Sequence, residues 1–97
     1  MNVYTKRITM DVDWDGAKRL RNIAKHGFNF LWADEVLLGN HVLIPARYEN
    51  EERFLAVGKI KGRFATVVYT IRDGRYCIIS IRSARHEERQ HYHTHYS

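Results

Sequence analysis

Ninety-seven residues, 44% apolar and 28% charged, suffice for one modest hydrophobic core, so the chain reads as a single domain over residues 1–97. Its longest uncharged apolar runs, such as Ala65 to Ile71 and Cys77 to Ile81, fall far short of the ~20 residues that cross a bilayer. No signal-type segment opens the chain, which predicts a cytoplasmic protein with no membrane partner. The formal charge of +5 is uneven: residues 1–30 carry six basic and three acidic side chains, 31–58 two and five, 59–75 five and one, and 76–97 three and two. Two basic zones thus flank an acidic middle. A basic face suits a polyanion, because fixed cations release the counterions condensed on a phosphate backbone, although charge alone does not separate RNA from DNA or from an acidic protein.

Val3 to Asp11 mixes β-branched and polar residues and reads as a strand. Asp13 or Asp15 is placed to cap a helix over Gly16 to Lys25, with Ala17, Leu20, Ile23 and Ala24 near the spacing of one buried face and Gly27 as the stop. Lys18, Arg19, Arg21 and Lys25 take the remaining faces, and Lys25 and His26 in the last turn complement the helix dipole. A second helix is predicted from about Leu31 to Leu38, ended by Gly39 and Asn40, with Phe28, Phe30 and Trp32 as core aromatics. Val42 to Ile44 reads as a short strand before Pro45, and Tyr48 to Glu52 as an acidic loop.

The period then changes to two. Arg53 to Ile60, Arg63 to Arg72 and Tyr76 to Arg82 form an antiparallel meander with turns at Lys61-Gly62 and Asp73-Gly74. A last helix begins near Ala84, and His91 to Ser97 reads as a polar tail. Cys77 cannot make an internal disulfide, and its apolar neighbours predict a buried small hydrophobe.

Alternation sorts the meander into two faces. Phe54, Ala56, Ile60, Val67, Tyr69, Ile71, Cys77, Ile79 and Ile81 form one apolar set; Arg53, Thr66, Thr70, Arg72, Ser80 and Arg82 form the other. Arginines and hydroxyls on adjacent strands suit a phosphate, because guanidinium forks bind its oxygens and stabilise the extra charge of a pentacoordinate transition state. A one-residue slip in register would swap the faces. His26 stands apart from the five other histidines, at a helix end beside Lys25, as a candidate acid or base or simply a capping residue. Imidazoles at alternate positions in His91-Tyr92-His93-Thr94-His95 would converge on a metal only if that segment were extended, and with no supporting motif the reading is that no metal or cofactor is used.

Several segments together resemble the BrnT family of bacterial toxins. They are Asp13-Trp14-Asp15 with Ala17-Lys18, Lys25-His26-Gly27, Phe30 with Ala33, Glu52-Arg53-Phe54, Gly58, Gly62-Arg63, Val67-Val68-Tyr69-Thr70 with Arg72, Ile79-Ser80 with Arg82 and Ala84, and Glu88-Arg89 with Tyr92. The resemblance implies an α+β fold like that of RelE-type toxins, a twisted antiparallel sheet with two N-terminal helices packed on it and a C-terminal helix. It implies RNA cleavage that halts translation, and a BrnA-like antitoxin that binds the toxin and carries the DNA-binding domain of an autorepressing complex. By motif it points to Lys25, His26, Arg53, Arg72, Ser80 and Arg82 as site residues. Ile81 stands where the family usually has alanine and Arg85 where it usually has a hydroxyl. The reaction expected is metal-independent transesterification of RNA. The alternative is a nucleic-acid-binding or protein-interaction module that uses the same basic face without cleavage.

Overall fold

The computed structural model describes residues 11–96. In chain order these form β1 (Val12–Asp13), α1 (Gly16–His26), a 3-10 turn (Phe30–Trp32), α2 (Ala33–Leu37), β2 (Val42–Tyr48), β3 (Glu51–Ile60), β4 (Arg63–Arg72), β5 (Arg75–Ser83) and α3 (His86–His95). The strand expected over Val3 to Asp11 lies outside the described residues except for Asp11, whose carbonyl accepts from the Tyr76 N–H. The five strands lie in the order β1-β5-β4-β3-β2. All pairings are antiparallel except that of β1 with β5, so the sheet is mixed rather than wholly antiparallel.

The meander follows its turn chemistry. Lys61 and Gly62, then Asp73 and Gly74, all take positive φ, between 50° and 80°, the left-handed pair that a two-residue hairpin needs to match strand twist. β2 departs from the expectation: it continues through Pro45 to Tyr48 in register with β3, leaving a two-residue connection in place of the acidic loop. Pro45 is tolerated because β2 is an edge strand, where a missing N–H costs no ladder bond. The second predicted helix is split into the 3-10 turn and the five residues of α2. The predicted polar tail is instead helical to His95.

One sheet face, with Ala56, Ile60, Val67, Tyr69, Ile78 and Ile81, packs against Phe28, Phe30, Ala33, Val36 and Leu37. Gly58 lets α2 approach β3: a Cβ there would lie 2.9 Å from the Asn40 carbonyl oxygen and 3.2 Å from a Val36 methyl. The opposite face is covered by α3 at the end carrying Phe64 and Thr66, with the Phe64 and Tyr92 rings edge to face at 5.2 Å.

β5 differs from simple alternation. Val68 pairs with Ser80 but Tyr69 pairs with Ile78, so Ile79 is an extra residue in a bulge. Beyond it the parity reverses, Tyr76 and Ile78 turn to the core, and Cys77 pairs with Thr70 on the other face. The expected placement of Cys77 and Ile79 in the apolar set is corrected accordingly, and Cys77 is only half-buried. Ile71 follows the predicted parity but is 48% exposed, because it stands near the turn, beyond the reach of the helices.

α1 also differs. Asp15 caps it through Oδ1, which accepts from the N–H groups of Ala17 and Lys18, and Gly27 closes it in the left-handed conformation. Its buried centre is Asn22, not the predicted Ala17, Leu20, Ile23 and Ala24; Leu20 is 60% exposed. Below its short pairing with β1, β5 would be a bare edge at Ile81. There the Asn22 amide both donates to the Ile81 carbonyl (2.8 Å) and accepts from the Ile81 N–H (3.2 Å), while also donating to the Phe28 carbonyl (2.9 Å). One side chain thus does the hydrogen bonding of a missing neighbour strand, which satisfies groups that are costly to bury unpaired. Periodicity points to apolar residues, so a polar core residue of this kind is invisible to it.

Candidate functional site

The bulge and the Asn22 contact set α1 alongside the edge of β5 and leave a groove between them. Its first part, of about 370 Å³, is lined by Lys18, Arg21, Lys25 and His26 from α1 and by Ile79 and Ser80 from β5. An adjoining part, of about 330 Å³, is lined by Trp14, Lys18, Arg53, Arg72, Cys77 and Ile79 among others. The two parts share Lys18 and Ile79. Of the six residues singled out from the sequence, Lys25, His26 and Ser80 therefore line one depression and Arg53 and Arg72 the neighbouring one, the two sharing a wall at Lys18 and Ile79.

Arg53 and Arg72 stand on adjacent strands and are drawn together by one carboxylate. Glu51 Oε1 accepts from Arg53 Nε at 3.1 Å and Oε2 accepts from Arg72 at 2.8 Å. The Arg72 bond and then the Arg53 bond hold the Glu51 carboxyl below its ordinary pKa. The Arg53 guanidinium also lies over the Tyr48 ring, 4.4 Å from its centroid, a cation–π contact that further restricts it. Arg72 keeps 62% of its side chain exposed, so most of its donors face solvent. Glu51 belongs to β3, two residues before Arg53 and on the same face, a period-two signal that the reading of this segment as a loop concealed.

His26 is pushed below its ordinary pKa by burial first, then by the neighbouring Lys25 and Arg82 charges. At neutral pH it is thus uncharged and able to accept a proton.

Arg82, the sixth predicted residue, stands on the same sheet face but is occupied. Its two terminal nitrogens donate to Glu88 Oε1 and Oε2 at 2.9 and 2.8 Å, and only 16% of its side chain is exposed. Glu88 also accepts from Thr66 Oγ1 (2.7 Å) and from the Arg85 N–H that opens α3 (2.8 Å). Burial alone would raise the Glu88 pKa, but the Arg82, Arg85 and Thr66 hydrogen bonds outweigh it and hold the carboxyl at about 2. Arg82 reaches the groove only as the smaller of the two cationic neighbours, after Lys25, that add to burial in lowering the His26 pKa. Direct contact with a ligand would require displacing Glu88.

Lys18 and Arg21 went unrecognised as groove residues in the sequence. The signal was present: Lys18, Arg21 and Lys25 are spaced by three and four, which puts them on one side of a helix. The C-terminal histidines do not join this region. In helical form His93 meets the Phe64 ring while His91 and His95 face Val42 and Ile44 of β2, so the convergence that an extended tail would allow does not occur. Among the described residues no three His, Cys, Asp or Glu side chains form a metal-binding group, and no helix is long and apolar enough to cross a membrane.

The sequence profile of a family described as "Ribonuclease toxin, BrnT, of type II toxin-antitoxin system" matches residues 14–88. The 1.1 Å crystal structure of the Brucella abortus ribonuclease toxin BrnT superposes with a TM-score of 0.64 at 34% identity, covering 79% of this chain and 99% of that one. No curated protein sequence matches. The matched residues run from Trp14 through Glu88 and so take in the groove except for Asp13 at its edge, together with the Arg82–Glu88 pair, and the chain belongs to the BrnT family of type II toxin–antitoxin ribonuclease toxins.

Proposed function

We propose that the groove between α1 and β5 is the ribonuclease site, and that it cleaves single-stranded or looped RNA by metal-independent transesterification. The observation that carries this reading is that a histidine kept neutral at pH 7 lines one depression with Lys25 and Ser80 while the Glu51-bound pair Arg53 and Arg72 lines the adjoining one. The ribose 2′-oxygen attacks the adjacent phosphorus, the P–O5′ bond breaks, and the 2′-hydroxyl proton passes to His26. The departing 5′-oxygen takes up a proton from solvent or an acidic neighbour, leaving a 2′,3′-cyclic phosphate and a 5′-hydroxyl. Arg53 and Arg72 offset the charge of the pentacoordinate phosphorane, Lys25 and the Ser80 hydroxyl bind phosphate oxygens, and burial, with smaller help from the Lys25 and Arg82 charges, keeps His26 neutral; each removed contact to the reacting phosphate lowers the rate by ~10²-fold or more. Cleavage of cellular RNA by such a site halts translation. A BrnA-like antitoxin that binds the toxin and carries the DNA-binding domain would restrain it, so that DNA is engaged only through the partner.

The test is incubation of the purified protein with end-labelled RNA in EDTA, beside Arg72→Ala. Products ending in 2′,3′-cyclic phosphate, reduced ~10²-fold in the variant, are the expected outcome. Intact RNA with a folded, RNA-binding protein would replace this reading with that of a non-cleaving nucleic-acid-binding module.

A further inference from the structure

Lys18, Arg21 and Lys25 succeed one another along α1, about 4.5 and 6 Å apart in axial rise. They share one wall of the groove, and among the described residues none has a carboxylate within ion-pairing distance. The other cations at the groove are engaged: Arg53 and Arg72 with Glu51, and Arg82 with Glu88. The stripe is also polarised. At its N-terminal end Asp13 and Asp15 line the groove beyond Lys18, and at its other end Lys25 adjoins His26 and Ser80. Among the described residues the only ring lining the first part of the groove is the His26 imidazole, while Trp14 lines the adjoining part beside Lys18, so along Arg21 and Lys25 the stripe offers point charges rather than a base-stacking platform.

We propose that Lys18, Arg21 and Lys25 form a track for consecutive backbone phosphates of single-stranded RNA along the α1 wall, running between the end of the groove that carries His26 and Ser80 and the end that carries Arg53 and Arg72. The axial spacing of the three cations is close to one nucleotide step. Surface cations in line and without a salt-bridge partner bind successive phosphates, with Asp15 as a through-space neighbour of Lys18 and Arg21, and contacts to phosphate alone carry no base preference. The track rests on the assignment of the groove as the ribonuclease site and adds to it a substrate length: a dinucleotide, with one internucleotide phosphate, engages one cation at a time, whereas a longer strand engages all three together.

The experiment measures binding of fluorescein-labelled 2′-O-methyl oligouridylates of two, four, six and eight nucleotides, which lack the attacking hydroxyl, across a salt series. Wild type, Lys18→Ala, Arg21→Ala and, as a control on β2 outside the groove, Arg47→Ala are compared, with thermal unfolding verifying that each is folded. Wild-type affinity rises with length and then levels off. Each of the two track variants binds the longer strands more weakly and lowers the slope of log Kd against log salt by about 0.7, the value for one lost phosphate contact on a single strand. The dinucleotide distinguishes them little from wild type. Slopes in Lys18→Ala and Arg21→Ala equal to those of wild type or of Arg47→Ala overturn the track, even if the protein cleaves RNA. Reduced slopes in a protein that does not cleave natural RNA uphold the track as a binding surface while removing the ribonuclease reading of the groove.

Discussion

Replacing Glu88 by glutamine removes one negative charge from the centre of a buried network while keeping its shape. In the native protein the carboxylate holds both terminal nitrogens of Arg82, the Thr66 hydroxyl and the Arg85 N–H. An amide would turn one nitrogen donor toward the Arg82 donors and leave a guanidinium, 16% exposed, with no counter-charge. The Glu88 pKa falls from an ordinary 4.5 to about 2, and at ~1.4 kcal/mol per pKa unit this corresponds to about 3 kcal/mol of stability from the ionised carboxylate. That figure agrees with the ~3–5 kcal/mol lost when one member of a buried pair is removed.

The sign follows from linkage. Because the folded pKa is depressed, the contribution is fully present above pH 4.5, declines as pH falls from there towards 2, and is absent below. Urea unfolding of wild type and Glu88→Gln from pH 7 to pH 2 should therefore show a gap of about 3 kcal/mol at neutral pH that closes at the acid end. A gap below about 0.5 kcal/mol at pH 7, the level of a surface pair, would refute the argument, as would a gap that stays constant with pH.

Three further outcomes follow from the same geometry. Asn22→Ala leaves the Ile81 N–H, Ile81 carbonyl and Phe28 carbonyl without their partner and costs about 3 kcal/mol in urea unfolding, with faster amide exchange at Ile81 than at the other β5 residues; unchanged exchange there would contradict the role of the amide as a strand substitute. For His26, whose folded pKa lies below 6.5, the rate of RNA cleavage should fall on the acid side with an apparent pKa below 6.5, and His26→Ala should lower the rate ~10²-fold and abolish that limb; a limb retained in the variant assigns the base elsewhere. Gly58→Ala forces a Cβ within 2.9 Å of the Asn40 carbonyl oxygen, so α2 must shift from the sheet at a cost of about 1–3 kcal/mol in thermal or urea unfolding, whereas an unchanged midpoint would show that α2 is not held tightly there.

The sequence by itself determined what depends on neighbours in the chain. The turn pairs Lys61-Gly62 and Asp73-Gly74 set two hairpins, alternation set the three long strands, and Asp15 and Gly27 set the limits of α1 to within a residue. Arg53, Thr66, Thr70, Arg72, Ser80 and Arg82 were correctly gathered on one face, since each keeps its parity relative to the partner strand. Tertiary structure alone decided what depends on contacts across the sheet. The extra residue Ile79 has no signature in an apolar run, yet it reverses parity for Cys77, Ile78 and Tyr76. Asn22 is buried because the edge of β5 needs its amide, and no helical period reports that need. Glu88 and Glu51 decide which arginines are committed and which face the groove, 6 residues from Arg82 and 21 from Arg72 in sequence. The short pairing of β1 leaves the β5 edge at Ile81 to α1, and that substitution of a helix for a strand is what opens a groove beside His26.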